Sequence, residues 1–515
     1  MKNEGFLRIG VDVGGTNTDA VLMEGTALLS QAKSETSADV TAGIFDALQG
    51  VLGSIPRGRQ VRAVMLGTTH FVNALIERKH LAPTAVFRIC LPATRLLPPL
   101  VDWPGELRQA IGGHGVMIDG GHEVDGREIN TLDCEQIRRH INEIREKGVR
   151  AVALCGVFSP VDPSHERQVA ALFAKEAPEI AVSLSHEIGR MGLLERENAA
   201  TLNASLIEVA HRTISGIRSA LSTLGIDAPL YFSQNDGTLM DAEFASRYPV
   251  LTMASGPTNS MRGAAFLSGV QDGIVVDVGG TSTDVGALVS GFPREASVVV
   301  EIAGVRTNFR MPDVVSVALG GGSIVRSDPL RIGPDSVAFR LKSEAIVFGG
   351  PTITATDLAV AAGRVRIGSH KPTLIPDLLA REGIDQFNTA VEDVIDQLKL
   401  NAGSTPVILV GGGSVLVNDN LQGASEVLRP PHAEVANAIG AAIAQVGGQM
   451  EKVYDLGRMT RQEALADAQG EAEQKAISAG ALPSTVEVVE LEEIPLTYLP
   501  SSAIRVRVKA VGDLV

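Results

Sequence analysis

Two stretches of this sequence carry the same polar residues in the same order. D-V-G-G-T-N-T-D runs from Asp12 to Asp19, and D-V-G-G-T-S-T-D runs from Asp277 to Asp284. In each copy an apolar strand ends in an aspartate (Asp12, Asp277), two glycines follow (Gly14 and Gly15, Gly279 and Gly280), and a second apolar strand begins after the final aspartate. Paired glycines allow φ > 0 and bring bare N–H groups against a ligand. The hydroxyls of Thr16, Thr18, Thr281 and Thr283 suit phosphate oxygens. An aspartate at the end of a strand can hold Mg²⁺, which travels with phosphates. Each copy therefore reads as a β-hairpin phosphate clamp, and two facing copies would grip the β- and γ-phosphates of ATP from both sides. A hairpin whose Asp and Thr only cap the turn is the plain alternative. Turn chemistry alone does not require the same string twice.

A third glycine element, V-I-L-V-G-G-G-S-V-L-V (407–417), would let Gly411, Gly412 and Gly413 pass flat against an adenine or ribose. The helix after it (434–448) has Ala436, Ala438, Gly440, Ala441 and Ala442, which allow close packing against another helix or a nucleotide. Neither G-x-x-x-x-G-K-[ST] nor a strand-linked G-x-G-x-x-G occurs, which disfavours P-loop and Rossmann readings.

The elements that must hold these motifs follow from the pattern. Residues 7–72 read as three strands, an amphipathic helix with Ile44, Ala47, Leu48, Val51 and Leu52 on its apolar face, then strand, turn and helix. Residues 79–194 alternate helix and strand and read as an inserted α/β unit. Its helices are expected to be capped by Thr131 and by Asp162 followed by Pro163, with Gly148 stopping the first. A long helix opens a second ATPase unit, 195–450, and 451–515 is expected to form a small α+β cap. The first ATPase unit is 1–78. The expected fold class is α/β: two duplicated domains around a nucleotide cleft, with the insert and the cap.

Of the remaining polar residues, His70 beside Thr68 and Thr69 reads as a half-buried histidine. His186, Glu195 and Glu197 read as part of a solvated helix start, and the G-G-H-E-V-D-G-R-E-I stretch with His122, Glu123 and Asp125 as a surface hairpin. Three scattered cysteines offer no disulfide or metal framework, and Cys155 in A-V-A-L-C-G-V-F reads as an inert core thiol. A net charge of −15 without long runs of one sign argues against nucleic acid or an anionic membrane as partner. The N-terminus shows no secretory signal and the most apolar helical stretch is too short to cross a bilayer, so a cytoplasmic chain is expected.

The two D-x-G-G-T-x-T-D hairpins followed by V-G-G-G resemble the actin, heat-shock-chaperone and sugar-kinase ATPase superfamily, which implies that the two duplicated ATPase domains are ribonuclease-H-like. Within it the chain resembles the A-type, ATP-binding subunit of the hydantoinase/5-oxoprolinase family. The resemblance rests on L-G-T-T-H-F-V-N-A-L-I-E-R-K (66–79), F-S-Q-N-D-G-T-L-M (232–240), S-G-P-T-N-S-M-R-G-A (255–264), L-G-G-G-S-I-V-R (319–326), P-T-I-T-A-T-D-L-A-V-A-A-G-R-V (351–365) and A-N-A-I-G-A-A (436–442). It implies that ATP phosphorylates the oxygen of a cyclic amide, which water then opens, with Mg²⁺ beside Asp12 and Asp277. It places Gly411, Gly412 and Gly413 at the nucleoside, and Thr68, Thr69, Asn73, Asn235 and Ser255 on the substrate side. Asp236 joins Asp12 and Asp277 in the catalytic set. A separate B-type partner chain and an oligomer are implied. Two departures fall away from the ATP motifs: Val315 stands where the family carries a histidine, and V-A-F-R-L-K-S-E-A-I-V-F-G-G (337–350) stands where it carries P-G-P-A-C-Y-G. The alternatives are a carboxylase subunit of acetone or acetophenone type, a nucleotide-gated binding protein and a small-molecule kinase.

Overall fold

The computed structural model describes residues 6–35, 40–296, 299–373, 375–400, 402–496 and 503–514. Strand Leu7–Val13 carries the first motif's entry and lies between Asn17–Glu24, antiparallel, and Val61–Thr68, parallel. Ala27–Glu35 extends the sheet on one side and Leu230–Ser233 on the other. Helix Val40–Leu52 covers one face through Ile44, Ala47, Leu48 and Val51, the stripe its periodicity predicts. The second motif repeats the arrangement. Gly273–Val278 lies between Thr283–Val289, antiparallel, and Thr405–Val410, parallel, with Phe292–Pro293 and Ala424–Leu428 outside them. Strand order and direction are therefore the same around both strings.

The first sheet does not end near residue 78. It has nine strands and takes in Leu230–Ser233, Thr238–Asp241, Gln445–Asp455, Glu487–Leu496 and Ala503–Gly512. The tail is thus part of this sheet and not a separate cap, and residues 230–241 belong here and not to the second unit. The physical reason lies in the tail's own pattern. Strand Ala503–Gly512 buries Val506, Val508 and Ala510 against Ala464, Ala468, Ala472 and Ala476 of helix Arg461–Ser478. Gly448 permits the close approach, since a Cβ there would lie 2.0 Å from the Ala472 carbonyl.

Residues between the first helices and the long helix form a separate parallel sheet, ordered His114–Asp119, Thr84–Leu91, Ala151–Gly156, Ala181–Leu184. Helix Cys134–Glu146 is capped by Asp133, whose carboxylate accepts from the N–H groups of Glu135 and Gln136, and not by Thr131. Asp133 directly precedes the helix, so its carboxylate reaches those amides, whereas Thr131 lies two residues further out. Asp162 accepts from Ser164 N at 2.8 Å, but the residue preceding helix Ser164–Glu176 is Pro163. The long helix Leu193–Thr223 is buried almost all round from Arg196 to Ile207, because it runs between the inserted sheet and the rest of the protein.

The chain leaves the first sheet for the second through helix Ser255–Ser268 and returns through helix Ala436–Ile443. These helices cross on glycine. A Cβ on Gly263 would lie 2.0 Å from the Ala436 carbonyl, and one on Gly440 1.8 Å from the Asn259 carbonyl. The small residues of the second helix thus serve helix packing and not a nucleotide. Among the described residues no helix is long and apolar enough to cross a membrane.

Candidate functional site

The two hairpins close in the same way. Gly14 N donates to Asn17 O at 3.0 Å, and Gly279 N to Ser282 O at 2.9 Å. Asp12 pairs across its strands with Asp19, and Asp277 with Asp284. The turns meet: a Cβ on Gly280 would lie 2.9 Å from Thr16 Oγ1. None of the four turn glycines takes a positive φ. Their conformational freedom is not what the site uses; the space is. A Cβ on Gly15 would meet nothing within 4 Å, so its backbone is open to a ligand.

Strand alternation divides the threonines. Thr16 and Thr281 sit on the turns and remain half-exposed, whereas Thr18 and Thr283 are fully buried on the opposite face from Asp12 and Asp277. Thr283 donates to Leu319 O at 2.6 Å, and Thr18 lies beside Gly43 of the covering helix. The Thr283 hydroxyl thus braces its hairpin, the Thr18 hydroxyl is buried without a hydrogen-bond partner, and both point away from the face that carries Asp12 and Asp277. The Gly320–Gly322 loop braces the second turn from outside, with Gly321 N donating to Gly279 O at 3.0 Å and Gly322 N to Gly280 O at 2.7 Å. The triple glycine divides too. Gly411, at φ +83, lies against Asp277, since a Cβ there would fall 2.3 Å from Oδ1; Gly413 lies against Val278, and Gly412 alone opens to free space.

Four carboxylates share the cleft. Burial pushes Asp12 up to about 7, with Asp19 and Asp277 adding to the effect and Asn437 opposing it. Burial likewise raises Asp277 and Asp19, and lifts Asp284 to about 6. Among the described residues the one cation paired with any of the four is Lys33, 2.8 Å from Asp19. Ser316 donates to Asp284. Asp12 Oδ1 and both amide atoms of Asn259 are buried without a hydrogen-bond partner. Gly67 lets them crowd together: a Cβ there would lie 2.2 Å from Asn259 Nδ2 and 2.9 Å from Asp12 Oδ1. Clustered carboxylates with orphaned oxygen and amide groups fit a hydrated divalent cation, which supplies the missing charge and, through its waters, the missing donors. Asp12 and Asp277, at the ends of their strands, are the carboxylates that could hold it.

The other residues named from the sequence are distributed differently. Thr68 N donates to Ser255 Oγ at 3.0 Å, and Ser255 Oγ donates back to Thr68 O at 3.2 Å. Thr69 donates to Val13 O at 3.3 Å, next to the first turn, and exposed Asn73 reaches Thr69 Oγ1. Asn235 spends its side chain on backbone, donating to Val250 O and accepting from Ala254 N. Asp236 is not free for chemistry. It is locked by Lys509 at 3.1 Å, by Thr238 and by Gln449, and Lys509 and Thr238 hold its carboxyl below the usual range despite burial. Burial lowers the His70 pKa, with His80 and Arg212 adding to the effect and Glu77 opposing it. Val315 packs into the core of the second sheet, while its neighbour Ser316 faces Asp284. Buried Cys155 is pushed up to about 12 by burial, an inert thiol. Asn437 was not singled out by the sequence, although a polar residue opening a run of small ones is a visible signal.

A second polar cluster lies in the insert, where buried His122 and His165 approach exposed Glu128 within 4.8 Å. His122 and Glu128 bridge across the hairpin expected there. Gly121 N donates to His165 Nδ1 at 3.0 Å, which leaves the ring proton on Nε2, facing Glu128 at 3.3 Å. A metal ligand needs that lone pair free, so this cluster is a hydrogen-bond chain.

Comparison with known proteins adds to this geometry. The chain matches the profile of the hydantoinase/oxoprolinase N-terminal region over residues 8–177 and that of hydantoinase/oxoprolinase over residues 196–374. It is 28% identical over 399 residues to the caprolactamase subunit alpha of Pseudomonas jessenii, covering 70% of this chain and 55% of that one. It is 26% identical over 402 residues to the acetophenone carboxylase gamma subunit of Aromatoleum aromaticum, covering 69% and 53%. The chain thus spans about half the length of these curated relatives. The crystal structure of ATP-dependent caprolactamase from Pseudomonas jessenii superposes with a TM-score of 0.76 at 20% identity, covering 99% of this chain and 88% of that one. That likeness shows a shared mixed α/β fold.

Proposed function

The chain belongs to the hydantoinase/oxoprolinase family, and from that premise we propose that it is the ATP-binding chain of an amidohydrolase that opens a cyclic amide or ureide. The reading that supports this is two duplicated ribonuclease-H-like units, each lending one hairpin to the nucleotide. The observation that carries it is the meeting of the two turns over four carboxylates that have a single protein cation among them.

An amide carbonyl is a poor electrophile. Transfer of the γ-phosphoryl group of ATP to the amide oxygen gives an imidate-like phosphate and ADP. Water then adds at the ring carbon, the C–N bond opens, and phosphate leaves. The amides of Gly14, Gly15, Gly279 and Gly280, with the hydroxyls of Thr16 and Thr281, would hold the phosphates in line. Mg²⁺ held by Asp12 and Asp277 would offset the charge on the moving phosphoryl group. Gly412 gives the nucleoside an unobstructed approach. Thr69 and Asn73, beside the first turn, are the substrate-side residues this reading keeps; Thr68, Ser255 and Asn235 hold the wall behind them. A separate B-type chain completes the enzyme, in keeping with relatives that are themselves subunits.

Acetophenone carboxylase among the relatives favours one second reading, an ATP-dependent carboxylase subunit. The test is phosphate release from ATP with a panel of lactams, hydantoins and 5-oxoproline, with and without the candidate partner chain, using Asp277→Asn as control. Lactam-stimulated release that Asp277→Asn abolishes is expected. Release that depends on bicarbonate and a ketone would overturn the hydrolase reading in favour of the carboxylase.

A further inference from the structure

Identical strings do not make identical hairpins. In the first unit one register row crosses three strands: Asp12 faces Asp19, and Asp19 faces Lys33 of strand Ala27–Glu35. Directly opposed residues of antiparallel strands point to the same face, so all three side chains share the cleft side of the sheet. The same row in the second unit reads Asp277, Asp284 and then Ser316 of strand Val314–Val317. The carboxylates are duplicated and the third residue is not. It is an ammonium in one copy and a hydroxyl in the other.

Lys33 Nζ lies 2.8 Å from Asp19 Oδ1 and donates to Oδ2 at 3.0 Å, whereas Ser316 Oγ donates to Asp284. The Lys33 side chain is 44% exposed, so its ammonium is not walled in. Glu35, two residues on along the same face, has a cation of its own in Lys342 of the second unit, at 2.7 Å. Lys33 is thus a point charge on a flexible stem, held by a carboxylate for which phosphate oxygens can compete. The opening for the nucleoside lies on the other unit, at Gly412 beyond strand Thr405–Val410. The terminal phosphate is the end of a nucleotide furthest from its nucleoside.

We infer that Lys33 breaks the symmetry of the duplicated clamp: its ammonium leaves Asp19 for the terminal phosphate of a nucleoside triphosphate and so assigns that phosphate to the first hairpin. The inference rests on the proposed reading that ATP binds between the hairpins, and it adds which hairpin receives which end. A diphosphate seated at the same nucleoside position stops one phosphate short of Lys33. One charge-assisted hydrogen bond is worth about 10- to 100-fold in affinity, so this side chain makes the chain prefer triphosphate to diphosphate.

The test is titration calorimetry of the purified full chain with a non-hydrolysable ATP analogue and, separately, with ADP, both with Mg²⁺. Lys33→Met should raise the Kd of the ATP analogue about 10- to 100-fold and leave that of ADP near the wild-type value. Lys33→Arg, which keeps the charge, should retain most of the preference. A purely structural Lys33–Asp19 pair would weaken both nucleotides by the same factor. An unchanged ratio of the two Kd values in folded Lys33→Met, whether both are kept or both are weakened, overturns the inference and leaves the proposed function standing. If Lys33→Met does not fold, Lys33→Gln decides on the same ratio. Failure of the wild type to bind either nucleotide overturns this inference together with the nucleotide site. Nucleotide binding that depends on Lys33 in this way, without turnover of any lactam, upholds it while the amidohydrolase reading falls.

Discussion

Asp12→Asn removes one charge from the cleft and almost no volume, so it separates what the carboxylate does for stability from what it does for chemistry. The Asp12 carboxyl lies at about 7 in the folded protein against an ordinary 3.8, chiefly through burial. A gap of that size corresponds to up to about 4 kcal/mol. The folded pKa is above the unfolded one, so the folded state holds this proton more tightly. The contribution is fully present below pH ~4 and is lost as pH rises through about 7. Asparagine cannot ionise and carries no such loss. Without metal, the melting temperature of the variant minus that of the wild type should therefore grow from pH 4 to 7 and then level off, with the variant the more stable at pH 8. With Mg²⁺ and ATP the order should reverse, because ligand bound to the native state stabilises the wild type and not the variant. ATP hydrolysis should fall by about 10²- to 10³-fold, the usual cost of one electrostatic stabiliser of the transition state. Calorimetry across pH 4–8, taken as a difference between the two proteins, and phosphate release are the assays. A difference that stays flat across that range, or a variant that hydrolyses ATP normally, would refute the assignment of Asp12 to a buried cation site.

The glycines of the turns should separate by position. Gly15→Ala should melt like the wild type, since its Cβ enters open space, yet bind ATP more weakly in calorimetric titration; Gly280→Ala should push the turns apart at Thr16 and lower both. Lys509→Met should destabilise the fold by about 3–5 kcal/mol by leaving Asp236 buried and unpaired, and adding Asp236→Asn should restore most of that in chemical denaturation, with ATP hydrolysis retained. Val315→His should not recover turnover. It should cost about 1–3 kcal/mol in the same experiment, because position 315 faces the apolar core of the second sheet.

What the sequence made legible was local. Each glycine hairpin lies within a string short enough to carry its own strand, turn and return, so both were readable; the pairing of Asp12 with Asp19 and of Asp277 with Asp284 came only with the register. The inward turn of Thr18 and Thr283 was also readable in principle. Thr18 opposes Val13 and Thr283 opposes Val278, so each shares the face of a core valine. The unread features are long-range. Asp236 looks available in F-S-Q-N-D-G-T-L-M, and only the docking of strand Ala503–Gly512 onto the first sheet brings Lys509 to it. The tail's alternating pattern announces strands but not their partner. Asn437 lies far along the chain from Asp12, and the packing that brings the two together rests on glycine contacts that no spacing rule reveals.

The duplication then has a physical consequence beyond gripping a ligand twice. One hairpin with an Asp pair on a strand end could hold a phosphate alone. Two hairpins on separate sheets bring four carboxylates into one cleft, and burial raises the pKa of every one of them. Their mutual repulsion opposes approach of the sheets, while Thr16 against Gly280 sets how near the turns can come. The chain crosses between these sheets through helices Ser255–Ser268 and Ala436–Ile443, which carry Asn259 and Asn437 to the same carboxylate, Asp12. On the proposed reading, a cation-bridged phosphate chain would remove the repulsion and join both halves, so its binding free energy would depend on how the sheets are set. A single copy would sense only that a phosphate is present; the pair would sense that a phosphate chain and its cation have arrived together.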